Sequence, residues 1–301
     1  MLKLHVLASG SKGNAAVVEN AATGAGVLID CGICKRDFLA RCDEAGFDPA
    51  HIEAVVVTHE HTDHVKGLGV VLRGLAKLGC MPAVYANEAC VGNSAPLQEI
   101  ADKGSLAPLT EDIPIEAAGI RLAPFATSHD AAASFGFRIE DVADGDAIGF
   151  LTDSGIVPAA AHTALSDVRI LALESNHDVA MLEAGPYPFP VKRRIAGDSG
   201  HLSNAQGAGE LAALINENPA LEARLSRPTP ETQLGTSNAS SLAARVNDAN
   251  SWGADYFISL HANASSAPSA SGTEGYVFAL NTPAAALSRD IVAGIAETTG
   301  L

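Results

Sequence analysis

The sequence predicts an α/β protein, an αββα sandwich in which two mixed β-sheets lie between outer layers of helices. Short apolar runs of strand type alternate with helical segments through the first two thirds of the 301 residues. Several of these runs end directly in histidine or aspartate, and the carboxyl ends of strands are where α/β sheets hold their sites. We therefore expect a large N-terminal domain with a polar site at one edge of its sheets.

The first half of the predicted sandwich alternates strands with helices. Apolar runs between glycine and asparagine turns predict strands over residues 5–9, 15–19, 27–31, 52–58 and 83–86. Apolar residues at helical spacing predict helices over residues 36–45, 65–78 and 96–101. The helix over 65–78 is apolar nearly all round, so we expect other elements to cover it.

The second half repeats this alternation and then changes character. Strands are predicted over residues 119–125, 134–140, 147–151 and 168–174. Helices are predicted over residues 158–165 and 204–215, the latter capped by Ser203 or Asn204. Near the C-terminus we expect a helix over 241–251, strands over 256–260 and 275–280, and a last helix over 283–297.

The richest motif follows the buried strand 52–58. Within six residues the chain supplies four side chains of ligand type: His59, His61, Asp63 and His64. Imidazole and carboxylate are the ligands that borderline divalent ions prefer. Four ligands from one short loop cannot all fit one tetrahedron without strain, so the spacing suits two adjacent ions better than one.

This motif resembles the signature of the metallo-β-lactamase fold, and the resemblance covers roughly residues 1–217. Similar segments occur in the family's order: LASGSKGN at 7–14, LIDCG at 28–32, TSHDA at 127–131 and LTDSG at 151–155. Two more segments, ESNHD at 174–178 and GHLSN at 200–204, resemble the YycJ/WalJ-type branch. Members of that branch are described as metal-dependent DNA exonucleases.

The resemblance, together with ligand chemistry, implies a site with two divalent metal ions, zinc or manganese. The first ion would take His59, His61 and His129, and the second would take Asp63 and His64. The carboxylate of Asp153 would bridge the two ions, which would activate a water held between them. The residues expected to take part in catalysis or to line the substrate pocket are Asp63, His177 and His201.

The family pattern breaks after residue 217. It expects one more strand that ends in a histidine, but from residue 218 the chain resembles part of the zinc-dependent N-acetylmuramoyl-L-alanine amidases instead. The segments that carry this resemblance are RLSR at 224–227, ARVNDAN at 244–250, ADYFISLHANA at 254–264 and GTEGY at 272–276. We therefore expect two units, residues 1–217 and residues 218–301. Composition supports this boundary, since every lysine lies at or before Lys192 and every cysteine at or before Cys90.

His261 is the one histidine between residues 218 and 301, and it follows the predicted strand 256–260. In the amidase family it would be a zinc ligand, whose partner ligands should lie upstream in a part that the first unit replaces. The favoured interpretation is an orphan ligand of an incomplete amidase site. The alternative is that the strand occupies the position of the missing one, so that His261 joins the metals of the first unit.

Charge and hydropathy limit the partners. The net charge of −16 argues against a broad basic surface for nucleic acid. Two basic clusters remain, at residues 35–36 and 192–194. The favoured interpretation of both is solvated surface, and the alternative is a local patch for nucleic acid. The start of the chain lacks the apolar core of a secretory signal, and no run approaches the ~20 apolar residues of a membrane span. We expect a cytoplasmic protein with no membrane contact.

Three functions are compatible with these observations. The leading one is a metal-dependent hydrolase of phosphodiesters, acting as an exonuclease on DNA. The second is a cell-wall amidase, for which a cytoplasmic location is unsuitable. The third is a catalytically impaired chimera of the two, because each unit lacks a ligand that its family expects.

Overall fold

The computed structural model describes residues 1–111, 113–227, 229, 232, 234 and 236–254. A six-stranded mixed sheet forms its first layer, with the strands in chain order across the sheet. Its strands are β1 (Leu2–Ala8), β2 (Ala15–Asn20), β3 (Gly26–Ile29), β4 (Ile52–Val56), β5 (Ala83–Ala86) and β6 (Leu106–Pro108). The first three strands pair antiparallel, and β3 to β6 pair parallel.

A five-stranded sheet forms the second layer, in the order β11-β10-β9-β8-β7. Its strands are β7 (Ile115–Ala117), β8 (Ile120–Ala126), β9 (Phe135–Asp141), β10 (Ala147–Leu151) and β11 (Ile170–Leu173). Neighbouring strands from β7 through β10 pair antiparallel, and β11 pairs parallel to β10. The carboxyl ends of β8, β10 and β11 therefore lie at the same edge of this sheet.

Helices connect the strands and cover the outer faces. Six of them precede β11: α1 (Lys35–Glu44), α2 (Thr62–Val65), α3 (Leu68–Lys77), α4 (Glu88–Gly92), α5 (Ala95–Ala101) and α6 (Ala159–Leu165). Within the described residues, four follow β11: α7 (Val179–Ala184), α8 (Phe189–Ile195), α9 (Asn204–Asn216) and α10 (Asn238–Trp252). A 3-10 turn, Pro49–His51, leads into β4.

Alternation along the strands separates two cores. Ala54 and Val56 of β4 face the second sheet, where they pack with residues such as Phe137 of β9. Val55 and Val57 face the opposite way, into a core shared with Phe38 of α1 and with α3. On the far side of the second sheet, α6 and Leu202 pack on Leu151 and Phe125. Helices thus lie outside both sheets, which confirms the predicted αββα sandwich.

Most predicted elements are present with ends shifted by a few residues, but the helix over 65–78 is wrong in two respects. It is two helices, α2 and α3, because the backbone at Gly67 docks on the loop after β3. The Gly67 amide donates to the Cys31 carbonyl, and a Cβ at Gly67 would lie 1.8 Å from the Ile33 oxygen. Nor is α3 covered all round, since Val70 is 44% exposed. Only one face of α3 packs on the core.

Several short elements were not predicted, namely β6, β7, α4, α7 and α8. Near the C-terminus, the predicted helix over 241–251 lies within α10. The strands predicted over 256–260 and 275–280, the helix over 283–297 and His261 all fall outside the described residues. Among the residues that are described, no helix has the length and apolar character needed to cross a bilayer.

Candidate metal centre

Loops from both sheets bring polar side chains to one edge of the sandwich. Asp30 follows β3, His59 follows β4, His129 follows β8, Asp153 follows β10 and Glu174 follows β11, each within three residues of the strand end. Because β3 and β4 are parallel, as are β10 and β11, their carboxyl ends meet at this edge. The site therefore occupies the position that α/β sheets favour for binding.

The first group of candidate ligands contains His59, His61 and His129, whose nearest ring nitrogens all lie within 4.8 Å of one another. Nε2 of His129 lies 3.1 Å from Nδ1 of His61. The opposite nitrogen of His129, Nδ1, lies 2.9 Å from the carbonyl oxygen of Gly200. A ring that donates Nδ1–H to a carbonyl presents a lone pair at Nε2, which is the usual arrangement of a metal-binding histidine.

The second group contains His59, His64 and Asp153, again within 4.8 Å. Nε2 of His64 lies 2.7 Å from Oδ2 of Asp153, and Nε2 of His59 lies 3.8 Å from the same oxygen. Asp63 adjoins this group through His64, at 3.8 Å. Asp153 has a left-handed backbone with φ of 43°. The structure thus places Asp153 next to both His59 and His64, whereas Asp63 lies outside both ligand groups and adjoins only His64 among these residues.

His64 is oriented from behind by a buried carboxylate that the sequence reasoning did not single out as a site residue. Oδ2 of Asp30 lies 2.8 Å from Nδ1 of His64 and also accepts the Thr58 hydroxyl at 2.7 Å. The Thr58 amide donates to the other oxygen of Asp30 at 2.8 Å. The sequence signal that could have identified Asp30 is its position one residue after β3, which is parallel to β4.

A third group joins Asp153 to Glu174 and His201. Nδ1 of His201 lies 2.6 Å from Oε1 of Glu174 and 3.3 Å from Oδ1 of Asp153. The other oxygen of Glu174 accepts the backbone amides of Ser154 and Leu202. Glu174 therefore fixes His201 beside the metal centre. His201 was among the residues predicted from the sequence, whereas Glu174 was not, although it opens the segment 174–178 after β11.

His177 lies close to this third group, and His201 contributes to the lowering of its pKa, after burial as the larger cause. Its Nδ1 is buried and has no hydrogen-bond partner among the described residues. Backbone pairing with Ser203 and Asn204 connects the His177 segment to the start of α9. The structure thus places His177 beside His201, at the periphery of the centre.

The glycine-rich loop before β2 forms the wall of the site next to Asp63. Nδ2 of Asn14 lies 3.3 Å from Oδ2 of Asp63 and 3.0 Å from Nε2 of His64. The Asn14 amide donates to the Asp63 carbonyl, and a Cβ at Gly32 would lie 1.6 Å from that same oxygen. These backbone contacts fix the loop that carries the histidine motif.

The donor set fits divalent metal ions. His59 has no exposed surface, and its Nε2 has no hydrogen-bond partner within the described part of the chain. A buried polar atom without a partner costs about 1–3 kcal/mol, so it calls for an explanation. Two ligand groups share His59 and bring histidine nitrogens and the Asp153 carboxylate close to it, and a bound cation would satisfy this atom.

Protein groups alone give these side chains unusual acidities. Burial lowers the pKa of His59 to about 2, and the neighbouring His64 adds to the effect. Burial also acts on His64, but the carboxylates of Asp30 and Asp153 outweigh it and raise its pKa to about 10. The pKa of His201 is raised to about 10, because Asp153 and Glu174 outweigh burial in the same way. The carboxylates therefore favour positive charge at His64 and His201, whereas burial keeps His59 neutral, with its nitrogen lone pair available to a metal ion.

Comparison with known proteins agrees with this fold and site. Residues 26–221, more than half of the chain, match the family model described as a beta-lactamase superfamily domain. The chain belongs to the beta-lactamase superfamily. Among its relatives in this superfamily is the exodeoxyribonuclease YycJ of Bacillus anthracis, 33% identical over 223 residues that cover 72% of this chain and 78% of that protein. The exodeoxyribonuclease WalJ of Streptococcus pneumoniae is 33% identical over 216 residues, 68% of this chain and 74% of that protein.

Solved structures confirm the metallo-beta-lactamase fold. The metallo-beta-lactamase fold protein YhfI of Bacillus subtilis superposes with a TM-score of 0.51 at 19% identity, covering 70% of this chain and 80% of that one. The short form of human tRNase Z superposes with a TM-score of 0.52 at 16% identity, and the match covers 71% of this chain and 88% of that one. The protein is therefore a hydrolase of the metallo-beta-lactamase fold, related to the YycJ and WalJ exonucleases.

A second family model also matches the chain. Residues 199–300 match the N-acetylmuramoyl-L-alanine amidase family, which confirms the resemblance that the C-terminal sequence predicts. The two matched ranges overlap over residues 199–221. The overlap includes α9, which follows His201 and packs its Leu214 against the far side of the second sheet.

Proposed function

We propose that this protein is a metal-dependent phosphodiesterase that degrades DNA from an end. The observation that carries the proposal is the convergence of three ligand groups around His59 and Asp153, in a chain similar to two exodeoxyribonucleases. Substrate class is taken from these relatives, because the metallo-beta-lactamase fold by itself does not fix a reaction.

Two divalent ions, zinc or manganese, would be held by the first two groups together with Asp63, which lies beside His64. His59, His61 and His129 would hold one ion, Asp63 and His64 would hold the other, and Asp153 would contact both. When bound, such a pair of ions lowers the pKa of a water between them and neutralises the attacked phosphate. The remaining steps fall to side chains of this chain.

We assign the proton transfer to His201. Glu174 fixes its Nδ1 at 2.6 Å, so Nε2 is the nitrogen left to exchange a proton with the oxygen that leaves the phosphate. Asp63 is a third exposed, and its carboxylate would both bind metal and orient the attacking water. His177, beside His201, would contact the nucleotide that departs.

The test uses the full chain with added manganese or zinc, and end-labelled linear DNA beside covalently closed circular DNA. The proposal expects mononucleotides or short products from the linear DNA and an intact circle. His201→Gln should lower the rate by about a hundredfold, within the ~10²–10⁴ range of general acid–base catalysis, with bound metal retained. The absence of DNA hydrolysis with either ion, in protein that binds metal, would reject the proposal.

The amidase match supports a second candidate, hydrolysis of the amide between lactyl and alanyl groups of the cell wall. It is the weaker of the two. A zinc amidase needs three protein ligands and a base. Residues 218–301 supply a single histidine, His261.

A further inference from the structure

The segment around α8 exposes large apolar side chains next to the metal centre. Phe189 is 71% exposed, Tyr187 is 56% exposed and Met181 is 76% exposed. Large exposed apolar patches mark binding surfaces, and two of these rings, Tyr187 and Phe189, lie within three residues of one another in the chain. We call Tyr187, Phe189, Arg193 and Arg194 together the ring–arginine surface.

The charge of this surface is opposite to that of the whole protein. Three consecutive cations, Lys192, Arg193 and Arg194, end α8, and no acidic residue occurs from 184 to 197, in a chain with a net charge of −16. Lys192 donates to the Glu183 carbonyl and so attaches α8 to α7. The guanidinium of Arg193 lies 6.0 Å from the centre of the Phe189 ring, which places a cation and an aromatic ring on one face.

This surface is continuous with the metal centre. Arg194 forms an ion pair with Asp130, whose Oδ1 lies 3.6 Å from Nε2 of His129 and 3.9 Å from Nε2 of His61. The residue after it, Ile195, accepts the backbone amide of His201 at 2.8 Å. The C-terminal end of α8 is therefore part of the rim of the centre.

The length of α8 matches the spacing of nucleotides. A helix rises ~1.5 Å per residue, so Phe189 lies about 8 Å along the axis from Arg194. Successive nucleotides of one strand of a duplex are spaced ~3.4 Å along its axis. The distance along α8 from Arg194 to Phe189 is thus about that spanned by two stacked nucleotides.

We propose that the ring–arginine surface binds the unpaired end of a DNA strand, with bases stacked on Tyr187 and Phe189 and phosphates facing Arg193. This inference rests on the proposed function and specifies the form of its substrate. Aromatic rings interleaved with cations are the means by which proteins bind single strands without sequence preference, since every base has a π-face. The same surface offers nothing comparable to a base pair inside a duplex, where the faces are already stacked.

The experiment compares two variants with two matched controls in the full chain. Tyr187→Ala/Phe189→Ala removes the rings, and Arg193→Glu reverses one charge. Val142→Ala and Arg121→Glu are the controls, because both residues are exposed and lie at the opposite ends of β9 and β8 from the metal centre. Each protein is assayed on a single-stranded oligonucleotide and on bis(p-nitrophenyl) phosphate, which is too small to reach the surface.

The expected result is a loss of tenfold or more in kcat/KM on the oligonucleotide for the ring variant, since stacking is worth ~1–3 kcal/mol per base. Arg193→Glu should give a smaller loss that shrinks as salt rises. Turnover of bis(p-nitrophenyl) phosphate should stay within twofold for all four proteins. An oligonucleotide ending in 2-aminopurine should lose fluorescence on binding the wild type and not on binding the ring variant, which reports stacking directly.

The experiment distinguishes failure of this inference from failure of the proposed function. If the wild type degrades DNA and the ring variant does so equally well, with the same 2-aminopurine signal, the inference is overturned while the proposed function stands. If no protein degrades DNA with any ion, the proposed function fails. Loss of 2-aminopurine quenching in the ring variant would still support the binding surface in that case, and unchanged quenching would reject it.

Discussion

At the scale of single residues, the buried Nε2 of His59 is the atom that best explains the arrangement around it. His59 belongs to the first and second ligand groups, and Asp153 belongs to the second and third. The sequence predicted both residues, because each directly follows an apolar strand. It did not predict Asp30 and Glu174, whose roles depend on which histidine each carboxylate faces. That information comes from the pairing of strands that are distant in the chain.

Asp30 gives a direct test of how His64 is oriented. We expect Asp30→Asn to weaken metal binding about 10–100-fold, because removing a carboxylate behind a metal-binding histidine has this typical effect. The measurement is a competition titration of the protein against a chromophoric chelator. Asp43→Asn is the control, since Asp43 is exposed and lies on α1. Equal affinity in the wild type and in Asp30→Asn would remove Asp30 from the account.

At the scale of elements, the long buried strands were predictable, whereas the helix over 65–78 was predicted wrongly and several short elements were missed. Apolar runs such as β4 and β10 identify buried strands because few other structures accept them. The break between α2 and α3 depends on Gly67 docking on the loop after β3, a contact between elements that periodicity does not report. The same holds for α8, because Pro186, Pro188 and Pro190 lie in and just before it and the exposed Tyr187 and Phe189 give no helical pattern.

Gly32 tests whether backbone docking positions the histidine motif. A Cβ at Gly32 would lie 1.6 Å from the Asp63 carbonyl oxygen, so the loop that carries Asp63 has to move. We expect Gly32→Ala to lower the free energy of unfolding by about 2 kcal/mol or more, which is about 4–8 °C in Tm, and to reduce bound metal. Gly92→Ala is the matched control, because a Cβ there meets nothing within 4 Å. Equal Tm values and equal metal content for both variants would contradict this role.

At the scale of the whole molecule, two family patterns occur in one chain. The sequence predicted the boundary at residue 217, and the two family matches overlap around it, over residues 199–221. Fold and family of the first unit were predictable because many short motifs occur in the right order. The position of His261 was not, because it depends on how the last segment packs, and His261 lies outside the described residues.

We expect the C-terminal unit to have no amidase activity of its own, because His261 is its single histidine. The measurement is release of peptides from purified cell wall by the full chain, with zinc added. His261→Ala should leave the background rate unchanged. Peptide release by the wild type that disappears in His261→Ala would show that the amidase site is functional.

The central claim is that the loop after β4 binds metal together with residues from the second sheet, and that this metal supports DNA hydrolysis. The most direct measurement is elemental analysis, combined with an assay of DNA degradation, for the wild type and for the double variant His61→Ala/Asp63→Ala. The control is Asp43→Ala/His51→Ala, because both residues are exposed and neither is a candidate metal ligand. The account predicts about two ions per chain and DNA degradation in the wild type and the control, with most metal and activity lost in His61→Ala/Asp63→Ala. Unchanged metal content in that double variant would contradict it.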